Sequence, residues 1–181
     1  GSSTPSCRDA RVIRIRRVVQ PEPASVAELT ALLQDVVHDG ASVGFLAPLP
    51  DATAANYWRQ VLGRLEGGLV LWVAEDDDRI VGAVQLEPCG KDNSRHRAEV
   101  QKLFVRVSHR GRGISSRLMQ AVEAHARANG HTLLVLDTLS HSDAAPVYRH
   151  LGWQFAGSIP GYAATPDGEL HATSYFYKQL A

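Results

Sequence analysis

Apolar residues recur along this chain at two spacings, and the switches between them mark the ends of its elements. Apolar and basic residues alternate in Arg11-Val12-Ile13-Arg14-Ile15-Arg16-Arg17-Val18, the period of a strand, which Pro21 and Pro23 end. Over residues 24–38, Val26, Leu29, Leu33, Val36 and Val37 fall at helical spacing, and Gly40 closes the helix. Asp51, as N-cap, starts a second helix through Tyr57, Trp58, Val61, Leu62 and Leu65, stopped by Gly67-Gly68. Residues 69–74 and 80–88 predict a hairpin whose acidic turn, Glu75-Asp76-Asp77-Asp78, is expected in solvent. A long strand over 98–107 precedes a helix over 111–129, with Ile114, Leu118, Val122 and His125 on one face and Gly130 as its stop. Leu133-Leu134-Val135-Leu136-Asp137 is almost wholly apolar, the composition of a strand covered on both faces in a parallel pairing. Strand, helix and strand here form a right-handed βαβ unit. A short helix over 143–151, a strand over 153–159, a turn-rich segment over 160–167 and a last strand over 173–180 complete the pattern. The loop Gly40-Ala41-Ser42-Val43-Gly44-Phe45 is too apolar for an ordinary solvated connection.

The pattern predicts one α/β domain around a mixed sheet, spanning residues 10–181. Residues 1–9, opening Gly-Ser-Ser, read as a tag remnant and a disordered N-terminus. With 181 residues, 44% hydrophobic and 21% charged, the chain suits a globular protein with a sizeable core. Its 19 Lys and Arg balance 19 Asp and Glu, which removes any general pull toward nucleic acid or an anionic membrane. Nothing approaches a membrane-spanning run or a signal peptide, so a cytoplasmic location is expected. Cys7 and Cys89 make no disulfide framework, and the 8 histidines lack ligand spacing, so no metal is expected.

The candidate chemistry starts at Arg110-Gly111-Arg112-Gly113-Ile114-Ser115-Ser116, between the long strand and the amphipathic helix. A helix start carries unpaired N–H groups and positive potential, and glycines let a ligand approach the backbone closely. Strand, basic glycine loop and helix together are a means of gripping a diphosphate. A P-loop fits poorly because no Gly-Lys-Ser/Thr follows, and a dinucleotide fingerprint fits poorly because position 116 is Ser and the unit lies mid-chain without a second mononucleotide half.

Arg110-Gly111-Arg112-Gly113-Ile114-Ser115 resembles the acyl-CoA pyrophosphate signature Arg/Gln-x-x-Gly-x-Gly/Ala of the GCN5-related N-acetyltransferase (GNAT) family, with Ser115 at the last position. The resemblance implies a single GNAT-type α/β (α+β) domain. Its sheet would be mixed, mostly antiparallel and twisted, with a splayed parallel strand pair and helices on both faces. It implies acetyl-CoA as co-substrate, without a metal, and a small-molecule amine as acceptor, in a monomer or homodimer. The stretch Leu103, Phe104 and Val105 then offers backbone groups to pantetheine, with the Leu103 N–H facing the thioester oxyanion. Residues 110–116 hold the pyrophosphate.

Asp137 ends an apolar strand, where a carboxylate is partly desolvated and its pKa rises. The resemblance assigns it the amine proton, with Glu99 the second candidate as base or as holder of the ammonium. Tyr148, in Ala144-Ala145-Pro146-Val147-Tyr148-Arg149-His150-Leu151-Gly152-Trp153, matches the tyrosine that faces the CoA sulfur. A phenol near pKa ~10 and a thiol near ~8.5 make full proton transfer uphill by roughly 2 kcal/mol, so a hydrogen bond to the thiolate is expected. The acceptor pocket would draw on Ser42, Phe45, Trp72, Gln101 and Tyr162, with packing roles equally open for Trp72 and Phe45. Residues 38–45, 97–103, 136–138 and 160–168 are similar to family members that acetylate the free amine of a β-lactam amino-acid toxin. That implies an amino-acid-like acceptor and a resistance role. A polyamine, an aminoglycoside or a peptide N-terminus is the alternative acceptor, and a non-catalytic CoA-binding sensor the alternative class.

Overall fold

The structure, a computed structural model, describes residues 12–180. Along the chain run β1 (Arg14–Val18), α1 (Val26–His38), α2 (Asp51–Gly63), β2 (Val70–Asp76), β3 (Arg79–Pro88) and β4 (Arg97–Val105). They are followed by α3 (Ile114–Ala128), β5 (Leu133–Leu139), α4 (Ala144–His150), β6 (Gln154–Ala164) and β7 (Leu170–Gln179). The strands make one seven-stranded sheet in the order β1-β2-β3-β4-β5-β7-β6. Every neighbouring pair is antiparallel except β4–β5, the two strands of the expected βαβ unit. The architecture is thus the mixed, mostly antiparallel α/β fold read from the sequence. Arg11, Cys7, the segment 1–9 and the outermost residues of the expected domain lie outside the described residues.

Each face of the sheet has its own core. On one, α3 turns Ile114, Leu118, Met119, Val122 and Ala126 onto Val81, Val84, Leu86, Ala98, Val100, Leu134 and Leu136. On the other, α1 and α2 bring Leu29, Leu32, Leu33, Val36, Trp58 and Leu62 against Leu71, Val73, Ala83 and Phe104. Burying each such large side chain contributes about 1.5–3 kcal/mol. No residue of β5 joins the second core. The expectation that β5 is covered on both faces therefore fails: Leu134 and Leu136 are buried, Val135 is half-buried and Asp137 is exposed.

Irregularities in the strands shape the site. Gln101 pairs with Gln85 and Phe104 with Ala83, so Lys102 and Leu103 together face Val84 alone. This is a β-bulge, and Lys102 takes φ +55 at it. Beyond the bulge the strand's faces exchange: Ala98 and Val100 join the α3 core, Phe104 the opposite one. The parallel pairing of β4 with β5 covers only Arg97–Glu99 against Leu133–Val135, after which the strands part.

Residues 160–164, read as a turn, instead continue β6, with a register break between Ile159 and Ala163. Pro160 fits because β6 is an edge strand whose outer N–H groups meet no neighbour. Asp51 is the first helical residue of α2, and Pro50 its N-cap. Of the acidic turn, Asp76 is not in solvent: it is buried, 2.8 Å from Nε2 of His109, whose Nδ1 lies 2.7 Å from the Ser108 hydroxyl.

Candidate functional site

At the N-terminus of α3 the backbone is shaped by Gly111 and Gly113, at φ +75 and +74. Gly113 is the N-cap, and the helix's first bond runs from the Arg117 N–H to the Gly113 carbonyl at 3.1 Å. The N–H groups of Ile114, Ser115 and Ser116 therefore have no helical carbonyl to meet, the arrangement that favours an anion. Arg110 lies beside them, its guanidinium donating to Asp39 at the end of α1 at 2.5 Å. Gly111, Gly113, Ile114 and Ser115 line a cleft of about 570 Å³, which Arg112 and Ser116 do not border.

The cleft follows the gap where β4 and β5 part. One wall is Leu103, Phe104 and Val105; the other is Thr138, Leu139 and the segment 141–144. Successive N–H groups of a strand point to opposite edges. The Arg106 N–H donates to Val81 on β3, at 2.8 Å. By alternation the Val105 N–H faces the gap, and Leu103, inside the bulge, lines its wall. Ser42, with Ala41 and Val43, roofs the cleft from the α1–α2 side.

From the opposite side of the sheet α4 inserts Tyr148, buried against Trp153 and Phe176 at ring separations of 6.2 and 5.9 Å. Burial first, and the charge of Asp137 second, push its hydroxyl up to about 12. Tyr148 thus stays a protonated phenol through any ordinary working pH.

A second cluster occupies the face that α1 and α2 leave open. By strand parity Glu99 and Gln101 stand opposite Ala98 and Val100, and Asp137 opposite Leu134 and Leu136. Asp137 faces Tyr175 directly across β5–β7, and Tyr162 meets Tyr175 edge-on at 5.9 Å. Burial, then the charges of Asp137 and Glu87, hold the Glu99 carboxyl above the ordinary carboxylate range, with Lys102 opposing. Of the two carboxylates, Glu99 is the one on which burial acts, while the Asp137 side chain is exposed. Gln101 donates to Glu87 at 3.0 Å and to Gln85 at 3.4 Å, and Gln85 donates to the Tyr57 hydroxyl at 2.9 Å. Phe45 packs edge-on to Tyr57 at 5.3 Å and closes this wall.

Asp137 thus lies within electrostatic reach of both Glu99 and Tyr148, and of the three Tyr148 lines the cleft. Of the expected acceptor residues, Ser42 lines the cleft, while Gln101, Phe45 and Tyr162 are held by Glu87, Tyr57 and Tyr175 respectively. Trp72 does not join them: it packs on the α3 core, 6.4 Å from His125, behind the sheet. Two residues the sequence reading passed over belong here. Tyr175 is placed by its register with Asp137, and the simple alternation Tyr175-Phe176-Tyr177 was the signal for it. Lys102 is placed by the bulge, which no periodicity marks. Among the described residues no helix is long and apolar enough to cross a membrane.

Comparison with known proteins bears on the same region. Residues 67–155, from β2 to the start of β6, match the family model of the Acetyltransferase (GNAT) domain. An uncharacterized N-acetyltransferase of the hisH-hisA intergenic region of Azospirillum brasilense is 31% identical over 127 residues, 69% of this chain and 74% of that protein. Human N-acetyltransferase 8B is 32% identical over 114 residues, 62% of this chain; the alignment spans 50% of that protein, so the chain matches about half its length. Among solved structures, an N-acetyltransferase from Staphylococcus aureus Mu50 superposes with a TM-score of 0.78 at 17% identity, covering 94% of this chain and 99% of that one. A GNAT superfamily phosphinothricin acetyltransferase from Sinorhizobium meliloti, in complex with AcCoA, gives 0.75 at 17% identity, covering 93% and 89%. Likeness at that level of identity concerns the fold. The matched family domain and the relative from Azospirillum brasilense, together with the parted β4–β5 pair and the glycine-capped α3, show that this chain belongs to the GNAT acetyltransferase family.

Proposed function

We propose that the protein is an acetyl-CoA-dependent N-acetyltransferase that moves acetyl directly onto the primary amine of a small amino-acid-like acceptor. One observation carries the reading. A buried phenol, Tyr148, lines the same cleft as an anion-receiving helix start, and Asp137 lies within electrostatic reach of both that phenol and Glu99. The acceptor's ammonium lies against the two carboxylates, and Glu99, whose raised pKa brings it nearer the amine's, takes the proton. Asp137 holds the ammonium and keeps the Glu99 proton affinity high. The Leu103 N–H donates to the carbonyl oxygen that gains charge as the amine attacks.

The departing thiolate takes a hydrogen bond from Tyr148. With the phenol at about 12 and a thiol near ~8.5, full transfer costs about 5 kcal/mol, so Tyr148 stabilises the thiolate without giving up its proton. Residues 110–115 receive the diphosphate, and we place the reaction in the cytoplasm, where acetyl-CoA is supplied.

The likeness of residues 38–45, 97–103, 136–138 and 160–168 to the tabtoxin resistance protein supports a β-lactam amino acid as acceptor and detoxification as the role. The phosphinothricin acetyltransferase among the structural neighbours also bears a name that points to an amino-acid-like substrate. Thiol release from acetyl-CoA, screened over amino acids including β-lactam ones, polyamines and aminoglycosides, tests the reading. A small amino acid is expected to drive release. Tyr148→Phe is expected to lower kcat by about 10–100-fold, the worth of a hydrogen bond to a charged group, with acetyl-CoA affinity nearly unchanged. Acetyl-CoA binding without release by any amine sinks the proposal in favour of a sensor.

A further inference from the structure

We infer that Lys102 is a specificity-determining residue whose ammonium receives the carboxylate of the acceptor, so that the site selects amino acids over amines that lack an acidic group. The inference rests on the acyl-transfer reading and names the acceptor's second functional group.

Lys102 is the extra residue of the β4 bulge, at φ +55, a conformation that residues with a side chain rarely adopt. That backbone turn carries its side chain beneath the roof loop, where Nζ donates to the Val43 carbonyl at 2.7 Å. The loop makes room with a glycine: a Cβ on Gly44 would stand 3.3 Å from Nζ. An ammonium has three N–H donors, and among the described residues Val43 supplies its one hydrogen-bond acceptor.

The group is half-buried and within the field of both Asp137 and Glu99, yet forms no direct ion pair with either. A lysine partly stripped of water beside two carboxylates gains by closing onto one of them. The bulge and the Val43 carbonyl hold it away. One cation therefore stands within the field of two carboxylates without closing onto either, the complement of a zwitterion. A diamine or an aminoglycoside brings further positive charge against Lys102, which turns it away by repulsion.

The test compares L-amino acids with their methyl esters and with putrescine, on the wild-type chain and on Lys102→Gln and Lys102→Arg. The change in the acid-to-ester ratio between variants cancels the intrinsic reactivity of each amine. The expected result is a fall of at least about ten-fold in that ratio for Lys102→Gln, chiefly through KM for the acid, as loss of a charge-assisted contact predicts. Lys102→Arg is expected to recover most of it, and putrescine to gain on the acid in Lys102→Gln. Equal losses for acid and ester would show that Lys102 only holds the roof loop, and would overturn this inference alone. Thiol release by none of the amines in the wild-type chain would remove the acyl-transfer reading itself.

Discussion

Glu99 owes its chemistry to its neighbours: half-buried on β4, it has Asp137 and Glu87 close enough to make its negative charge unwelcome. A general base works in its ionised form, so a raised pKa moves the acid limb of the pH profile upward. The kcat/KM profile is expected to rise with pH through a value above the ordinary ~4.3 of a glutamate. Glu99→Gln removes that limb, whereas Asp137→Asn, by removing one source of the upward push, moves it to lower pH. An unaltered limb in Glu99→Gln would assign the base elsewhere. No alkaline limb from Tyr148 is expected up to about pH 10, because its hydroxyl is held at about 12. Glu99, Asp137 and Tyr148 were all legible as residue types at telling positions. Their environments were not. The apolar run 133–136 reads as doubly covered, but α1 lies over β3 and β4 and leaves Asp137 in the open. Lys102 was illegible for another reason, since strand periodicity cannot announce a positive φ at a residue that is not glycine.

The α3 start illustrates what an element contributes beyond its residues. At Gly113 an added Cβ meets no atom within 4 Å, so the cost of a side chain is that of φ +74 alone. Gly113→Ala is expected to lower stability by about 1–2 kcal/mol, the penalty of a left-handed L residue. Acetyl-CoA affinity is expected to fall further, by about ten-fold, because the N–H groups of residues 114–116 depend on that entry angle. Gly63→Ala, at the end of α2 with open space and no positive φ, serves as the control, with a neutral or stabilising effect. Calorimetric titration and thermal melts separate the two effects. The βαβ unit of β4, α3 and β5 was the most legible part of the chain, because a long amphipathic period between two apolar runs admits little else. The strand at 160–164 was missed because Pro160, Gly161 and Asp167 carry turn chemistry, and an edge strand tolerates what a central one does not.

Across the whole molecule, two cores on opposite faces leave one gap between β4 and β5, and the buried His109–Asp76 contact ties the segment before the glycine loop to the β2–β3 hairpin. Asp76→Ala leaves a buried ring nitrogen without its partner, at a cost of about 1–3 kcal/mol. The expected signature is a Tm lower by about 2–10 °C; an unchanged melt would show the contact to be dispensable. The broken register of β6 has a consequence for behaviour in concentrated solution. With a formal net charge of +0, the molecule has little long-range repulsion to keep copies apart. Its sheet ends carry that duty instead. The β1 edge is five residues long and bears Arg14, Arg16 and Arg17. The β6 edge is longer and exposes Phe155, Ile159 and Tyr162. There Pro160 lacks the N–H a docking strand would seek, and the break to Ala163 divides the edge into runs too short to template a ladder with another copy.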